Sequence, residues 1–384
     1  MTCSSTASTA RAALAIHAAA FGAAFGILAC LPGAALAITE VCGSFKLATE
    51  WTKMGSPYLV TGDIYIPANS RLRIAPGVVV RFARPRPCAS DTAPQPLEDW
   101  SDSAYSGIKA DGTFYSLGTE EQPVIFEPDA AKSGAIGWDG IRLSGQNSHS
   151  SEICFSVFRG ANQAVTADRA GFFIHHCLFT GNNTGVMLGF RGDLGIVNCN
   201  FIGNLSAGIV VRKAGPRIAN NIFLDNRSYG IWADGRPATQ IMNNDFWGNR
   251  EEPCHKCAYT ILQMDKLNAN KDTADAFGNL QVDPIFIGTA AYDSAHQADL
   301  KTDTPDHLIR DAKIAKLEAD ARKKSAPKSE APFIALGKGN YLLSQYSKLI
   351  NAGHKGGDFK DRDGTINDIG IHGGPMGRMG KDPF

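Results

Sequence analysis

The sequence predicts an all-β fold, a parallel β-helix solenoid, and three observations lead to it. Phe158, Phe179, Phe201, Phe223 and Phe246 recur about every 22 residues. Three positions before them stand Phe155, His176, Asn198, Asn220 and Asn243, and three positions after the last four stand Asn182, Asn204, Asn226 and Asn249. Within each unit, short runs such as "GIVVR" and "RIANNIF" alternate apolar and other residues between Gly, Asn, Asp and Pro, with no segment of helical length. A unit this short cannot bury its own apolar face, so neighbouring units must stack into a continuous core. Three strands per unit, each pairing in parallel with its equivalent in the next, give coils rising about 4.8 Å. By that period the stretch from Tyr58 to Phe286 holds roughly ten coils.

The first residues lie outside this pattern. Arg11, an apolar Ala-rich run from Ala12 to Leu31 and "ALA" at Ala35 to Ala37 form the three parts of an export signal, so residues 1–37 are expected to be a signal peptide. Two other readings stay open: an uncleaved membrane anchor, and a lipoprotein processing box, "ILAC", ending at Cys30. The expected location is periplasmic or extracellular. The 38 acidic and 38 basic side chains leave no basic excess for nucleic acid or an anionic membrane surface. No other apolar run is long enough to span a bilayer, and the mature chain is expected to be a monomer.

Residues 38–290 are assigned to the β-helix with its N-terminal cap, and 291–384 to a C-terminal closing segment. In the repeats the inward positions are Val186 and Leu188, Ile209 and Val211, Ile231 and Ala233, and the Phe column. Asn tolerates the left-handed backbone of a tight turn and bonds nearby backbone groups. Asn198, Asn220 and Asn243 therefore read as a structural ladder, their amides bonding the coils above and below. Cys177 and Cys199 occupy the next column and read as packed thiols, close enough between coils to leave oxidation open.

An exported chain meets oxidising conditions, and beyond the signal seven Cys remain. Seven is odd, so at least one thiol stays unpaired within the chain. "CHKC" at Cys254 to Cys257 reads as a local disulfide, with a zinc half-site or a redox pair as alternatives.

The segments "YLVTGDIYIPANSRLRIAPGVVVRF" (Tyr58 to Phe82), "GTEEQPVIFEPD", "GWDGIRLSG", the repeats and the closing "NYLLSQYSKLINAG" and "DRDGTINDIGIHGGP" together resemble the bacterial right-handed parallel β-helix repeat proteins of the pectin-lyase-like group. The resemblance covers most of the mature chain and implies a right-handed solenoid. For function it is unspecific, because that fold carries lyases, hydrolases, epimerases and adhesins. Two stretches depart from the pattern. Residues 85–106 form a long loop, with Cys42 and Cys88 a candidate bridge tying it to the N-terminal end. Residues 305–331, charged and Ala-rich, read as a short inserted helix, either a solvated decoration or a docking element.

The resemblance also implies a binding groove along one strand face. Alternation turns Arg142, Thr166, Asp168, Met187, Val210, Arg212, Trp232 and Asp234 outward there, with Arg191 and Arg236 in the following turns. An indole offers a flat apolar surface to a sugar ring, Arg grips a carboxylate with two N–H groups, and Asp accepts from hydroxyls. The substrate-binding set is accordingly Trp232, Arg212, Asp234, Asp168, Arg191, Arg142 and Arg236. The competing reading is a covered Trp and Arg-Asp pairs along a solvated ladder.

Catalysis asks for more. Arg212 is of the right type to serve β-elimination from a uronate, with Asp168 and Asp234 as Ca²⁺ ligands, but no pectate-lyase motif accompanies it. Asp168 and Asp234 are three coils apart, about 14 Å, too far for glycoside hydrolysis. No catalytic residue is assigned and no cofactor is required. Calcium is considered once more at Asp361, Asp363, Gly364 and Asp368, where the closing Glu of a calcium loop is missing and a cap turn is the expected reading. Polysaccharide binding, with lyase-like cleavage at most, is the expected function. The alternative is a noncatalytic envelope scaffold or adhesin that binds a protein.

Overall fold

The computed structural model of the chain describes residues 38–45, 47–86, 88, 105–129, 136–145, 151–190, 195–234, 239–268, 270–286, 341–356, 359–361 and 365–374. Their regular structure is strand apart from one short 3-10 turn, Lys53–Gly55. The chain is a parallel β-solenoid. Each coil visits three strand columns in turn, as in Gln163–Asp168, Phe172–His175 and Leu178–Thr180, before returning to the first at Thr184–Leu188. Among the described residues every strand pairing between coils is parallel, and the one antiparallel ladder, Lys266–Leu267 with Thr273–Ala274, follows the last coil. The long strand Tyr58–Ile66 belongs to two columns at once, pairing Val79–Phe82 through its first half and Ile108–Ala110 through its second.

There are about eight coils, not ten. The middle column counts them, from Ala48–Trp51 to Gln240–Met242. A uniform 22-residue period overestimates the number for two reasons. The stretch between Phe82 and Ile108 lengthens an early coil, and the chain after His255 rejoins the columns at Asn279 and Leu280 instead of completing another three-strand coil. The inserted helix placed at 305–331 and the signal peptide lie outside the described residues, as does Cys30.

The registers explain the repeated phrase. Phe158 pairs Phe179, which pairs Phe201, then Phe223, then Phe246. With Phe126 they form one stack of rings whose centroids are 4.7 to 5.0 Å apart and nearly parallel. Ring spacing is thus set by the strand spacing, and offset stacking adds to the burial of six large rings. The expected inward residues Val186, Leu188, Ile209, Val211 and Ile231 are all fully buried, and Ala233 nearly so. Gly208 is where the stack leaves no room. A Cβ there would lie 2.7 Å from the Gly230 carbonyl oxygen and 2.8 Å from Phe223 Cδ1.

Asn ladders are present, but not where they were expected. Asn182, Asn204, Asn226 and Asn249 bond Nδ2 to Oδ1 in sequence at 3.1, 2.9 and 2.8 Å. The same side chains from Asn204 onward also donate to Phe179, Phe201 and Phe223 carbonyls, closing the turn after each stacked ring. A second ladder runs Asn221, Asn244 and Asn279. Asn198, Asn220 and Asn243 do hold the left-handed turn, with φ of 52, 57 and 52°. Their side chains point away from the barrel, so they meet the closing segment instead of one another.

That segment forms a strap on the outside of the solenoid. Asn243 Nδ2 donates to the Ala352 carbonyl, the His354 N–H donates to Asn220 Oδ1, and Asn198 Nδ2 reaches Asn367, Asp368 and Gly370. Farther on, Ile371 N donates to Asn200 Oδ1 and His176 Nε2 to the Gly373 carbonyl. Ile371 packs with Ile125, Phe155, Val157 and Leu178, while Leu349, Ala352 and Ile369 pack with Ile222 and Leu280. Ile125, Val157, Leu178 and Ile222 are buried at outward positions of this column because the strap covers them, and Asn200, in the same row, accepts from it.

Both expected disulfides are present. Cys42 is bonded to Cys88 and Cys254 to Cys257, with Cα separations of 5.9 and 5.7 Å. Cys154, Cys177 and Cys199 are free and buried.

Candidate functional site

The predicted face lies on the first strand column. Register carries one outward row through Tyr65, Lys109, Arg142, Thr166, Met187, Val210, Trp232 and His255. These eight side chains succeed one another at the strand spacing, so the row spans about 34 Å. Val210 is buried, whereas Arg142, Thr166, Met187 and Trp232 are part-exposed and Arg212 is exposed. Arg191 and Arg236 lie outside the described residues.

Trp232 is the centre of this row. The guanidinium of Arg212 lies 5.8 Å from its ring centroid and the ammonium of Lys256 5.5 Å. The His255 ring follows at 6.3 Å and stacks on Tyr229 at 4.8 Å. Cation–π attraction of this kind holds each charge over the ring face. The result is an aromatic step edged by positive charge. Lys256 and His255 were not singled out in the sequence because "CHKC" reads first as a cysteine motif.

Two Asp residues have duties that the sequence did not reveal. Asp168 Oδ1 accepts the Phe190 N–H at 2.8 Å, and Asp234 Oδ2 accepts the Lys213 N–H at 2.7 Å. Each carboxylate therefore caps the turn of the following or preceding coil. Farther up, Tyr65 and Ser144 both donate to Asp111. Burial, with the bond to Asp111, pushes the Tyr65 phenol up to about 12. Asp168 and Asp234 are separated by the Gly189 and Arg212 rungs, about 14 Å, as the sequence implied.

The carboxylates of the closing segment also serve the backbone. Asp361 accepts the Asp368 and Gly374 N–H groups, and Asp368 accepts that of Asn351. These bonds fit a cap turn; Asp363 and Gly364 lie outside the described residues.

A different set of metal-ligating side chains comes together on the middle column. Glu152, Cys154 and His175 bring one oxygen, one sulfur and one ring nitrogen within 4.8 Å of one another. In the sequence they are split between two coils and carry no recognisable spacing motif. His175–His176 reads there as a structural turn, and only the register places it beside Cys154.

Residues 133–268 match the family model of the right handed beta helix region. No curated protein and no solved structure matches the chain significantly. The matched stretch contains the Phe stack from Phe158 to Phe246, both Asn ladders up to Asn249 and the whole Trp232 step, so it agrees with the resemblance read from the repeats. Like the solenoid itself, it speaks for fold and leaves function to the site.

Proposed function

We infer that this chain binds an acidic polysaccharide along the outward row that passes through Trp232. The observation that carries the reading is the Trp232 ring with Arg212 and Lys256 over it, on a straight row of parallel rungs. A sugar ring stacks on an indole through its apolar C–H face, and a uronate carboxylate fits a guanidinium beside it. The row supplies length, and Lys109 at its upper part supplies further positive charge. A stiff chain of repeated sugars suits a rigid row of repeated rungs.

Cleavage is not part of this reading. The two carboxylates predicted on the face accept backbone N–H groups, and their spacing fits neither glycosidase geometry. Export remains part of the reading, supported by the two disulfides and the signal-like first 37 residues.

A glycan array tests it, with wild type beside Trp232→Ala and Arg212→Ala. Loss of the indole should weaken binding roughly tenfold while the melting temperature stays within a few degrees. Binding should also fall as salt rises, since exposed charges are screened. Acidic-glycan binding that is equal in all three proteins, or no glycan binding by wild type, removes the proposal.

A further inference from the structure

Glu152 and Cys154 stand two apart on the strand Ser151–Cys154 and so share its outer face. Cys154 pairs in register with His175 of the next coil. Three contacts then run in line. The His176 Nε2 lies 2.8 Å from the Gly373 carbonyl oxygen, the two histidines face each other Nδ1 to Nδ1 at 2.8 Å, and His175 Nε2 lies 3.1 Å from Glu152 Oε1.

The protons in this line are determined from its far end. A carbonyl oxygen only accepts, so His176 carries its proton on Nε2. His176 is 1% exposed, where a charged ring would cost several kcal/mol, roughly, of desolvation. Being neutral, it has a bare Nδ1, and His175 must donate to it from its own Nδ1. His175 Nε2 is left facing the Glu152 carboxylate oxygen, and the Cys154 sulfur converges on the same place, so one nitrogen, one oxygen and one sulfur surround a common position.

We propose that Glu152, Cys154 and His175 form a three-ligand site for a divalent transition cation of zinc-like softness. Sulfur and imidazole select such an ion over calcium or magnesium, which take oxygen ligands. Two ligands about 2.0–2.2 Å from a tetrahedral ion lie about 3.3–3.6 Å apart, so the nitrogen and oxygen, at 3.1 Å, would separate by only a few tenths of an ångström to admit it. His176 acts behind His175 as the orienting acceptor that such ligands have, and the strap holds His176 through Gly373. Glu152, with a side chain 37% exposed, forms the entry, and water completes the fourth position. Binding exchanges one proton: the Cys154 thiol gives its hydrogen to solvent as the sulfur–metal bond forms. The site is on a different strand column from Trp232 and does not depend on the polysaccharide reading.

The full chain is purified without reductant, so that Cys254 and Cys257 remain bonded, then stripped with chelator and titrated with Zn²⁺ and Co²⁺. One ion per chain is expected, with a thiolate-to-cobalt absorption band that disappears in Cys154→Ser. Because Cys154 is buried, Glu152→Gln at the half-exposed edge is the second variant, its fold checked by circular dichroism. It should weaken Zn²⁺ by more than the about 10-fold that loss of an outer partner costs. Failure of the wild type to take up either ion overturns the site, as does uptake unaltered in both variants. A cobalt complex without a thiolate band overturns it as well.

Discussion

The side-chain amide of Asn198 donates to Asn367 Oδ1 at 3.0 Å, joining a turn in the middle of the solenoid to the strap 169 positions later. The same amide also donates to the carbonyls of Asp368 and Gly370, and Asn198 is almost fully buried. Turn geometry and docking therefore meet in one residue, at φ 52°. Asn198→Ala leaves buried acceptors without donors and puts a Cβ-only residue in a left-handed turn, so a loss of about 2–4 kcal/mol is expected. Amides between Gly353 and Gly373 should exchange faster with deuterium while those of the Phe stack stay protected. Uniform loosening of both regions would show that the strap does not open by itself.

The Phe stack makes opposite errors costly. Phe201→Ala removes one ring from a fully buried column and should cost about 3–5 kcal/mol in denaturant unfolding. Gly208→Ala adds a methyl where 2.7 and 2.8 Å contacts already await it, and should cost about 1–3 kcal/mol. Met54→Ala, at a side chain 94% exposed, should change stability by no more than about 0.5 kcal/mol. Equal effects at the three positions would mean that the stack is not the core.

Asp245 is expected to make the protein less stable as pH rises. Burial pushes its carboxyl well above the usual 3.8, against bonds from the Val282 and Phe246 N–H groups. Between 3.8 and the raised native value the folded state holds a proton that the unfolded state has released, so stability falls with rising pH in that window. Asp245→Asn removes this contribution. Its melting temperature, followed from about pH 4 upward, should decline less than that of the wild type. A steeper decline would contradict the sign.

The Cys42–Cys88 bond closes a loop across 46 positions. On the chain-entropy account, breaking it by Cys42→Ser costs about 4 kcal/mol. Chemical denaturation of the wild type and the variant, both without reductant, measures the difference. A loss under 1 kcal/mol, roughly, would mean that the N-terminal cap is held by its strand pairing instead.

The sequence by itself determined the solenoid, the Phe column and the inward aliphatic rows. Each depends only on residues that recur at one interval, and parallel pairing converts a recurrence in sequence directly into contact between neighbouring coils. Cys254–Cys257 was legible for a similar reason, being local. Periodicity does not say which way a recurring side chain points. Asn182, Asn204, Asn226 and Asn249 share the interval of Asn198, Asn220 and Asn243, yet only the first series bonds to itself. The second faces outward, and what it meets was decided by the strap, whose contacts span more than a hundred residues. Tertiary structure likewise turned Asp168 and Asp234 to backbone N–H groups, set Lys256 over Trp232, and joined Glu152, Cys154 and His175. Such groupings depend on which side chain stands at each outward rung and on how it turns, and a recurrence interval specifies neither.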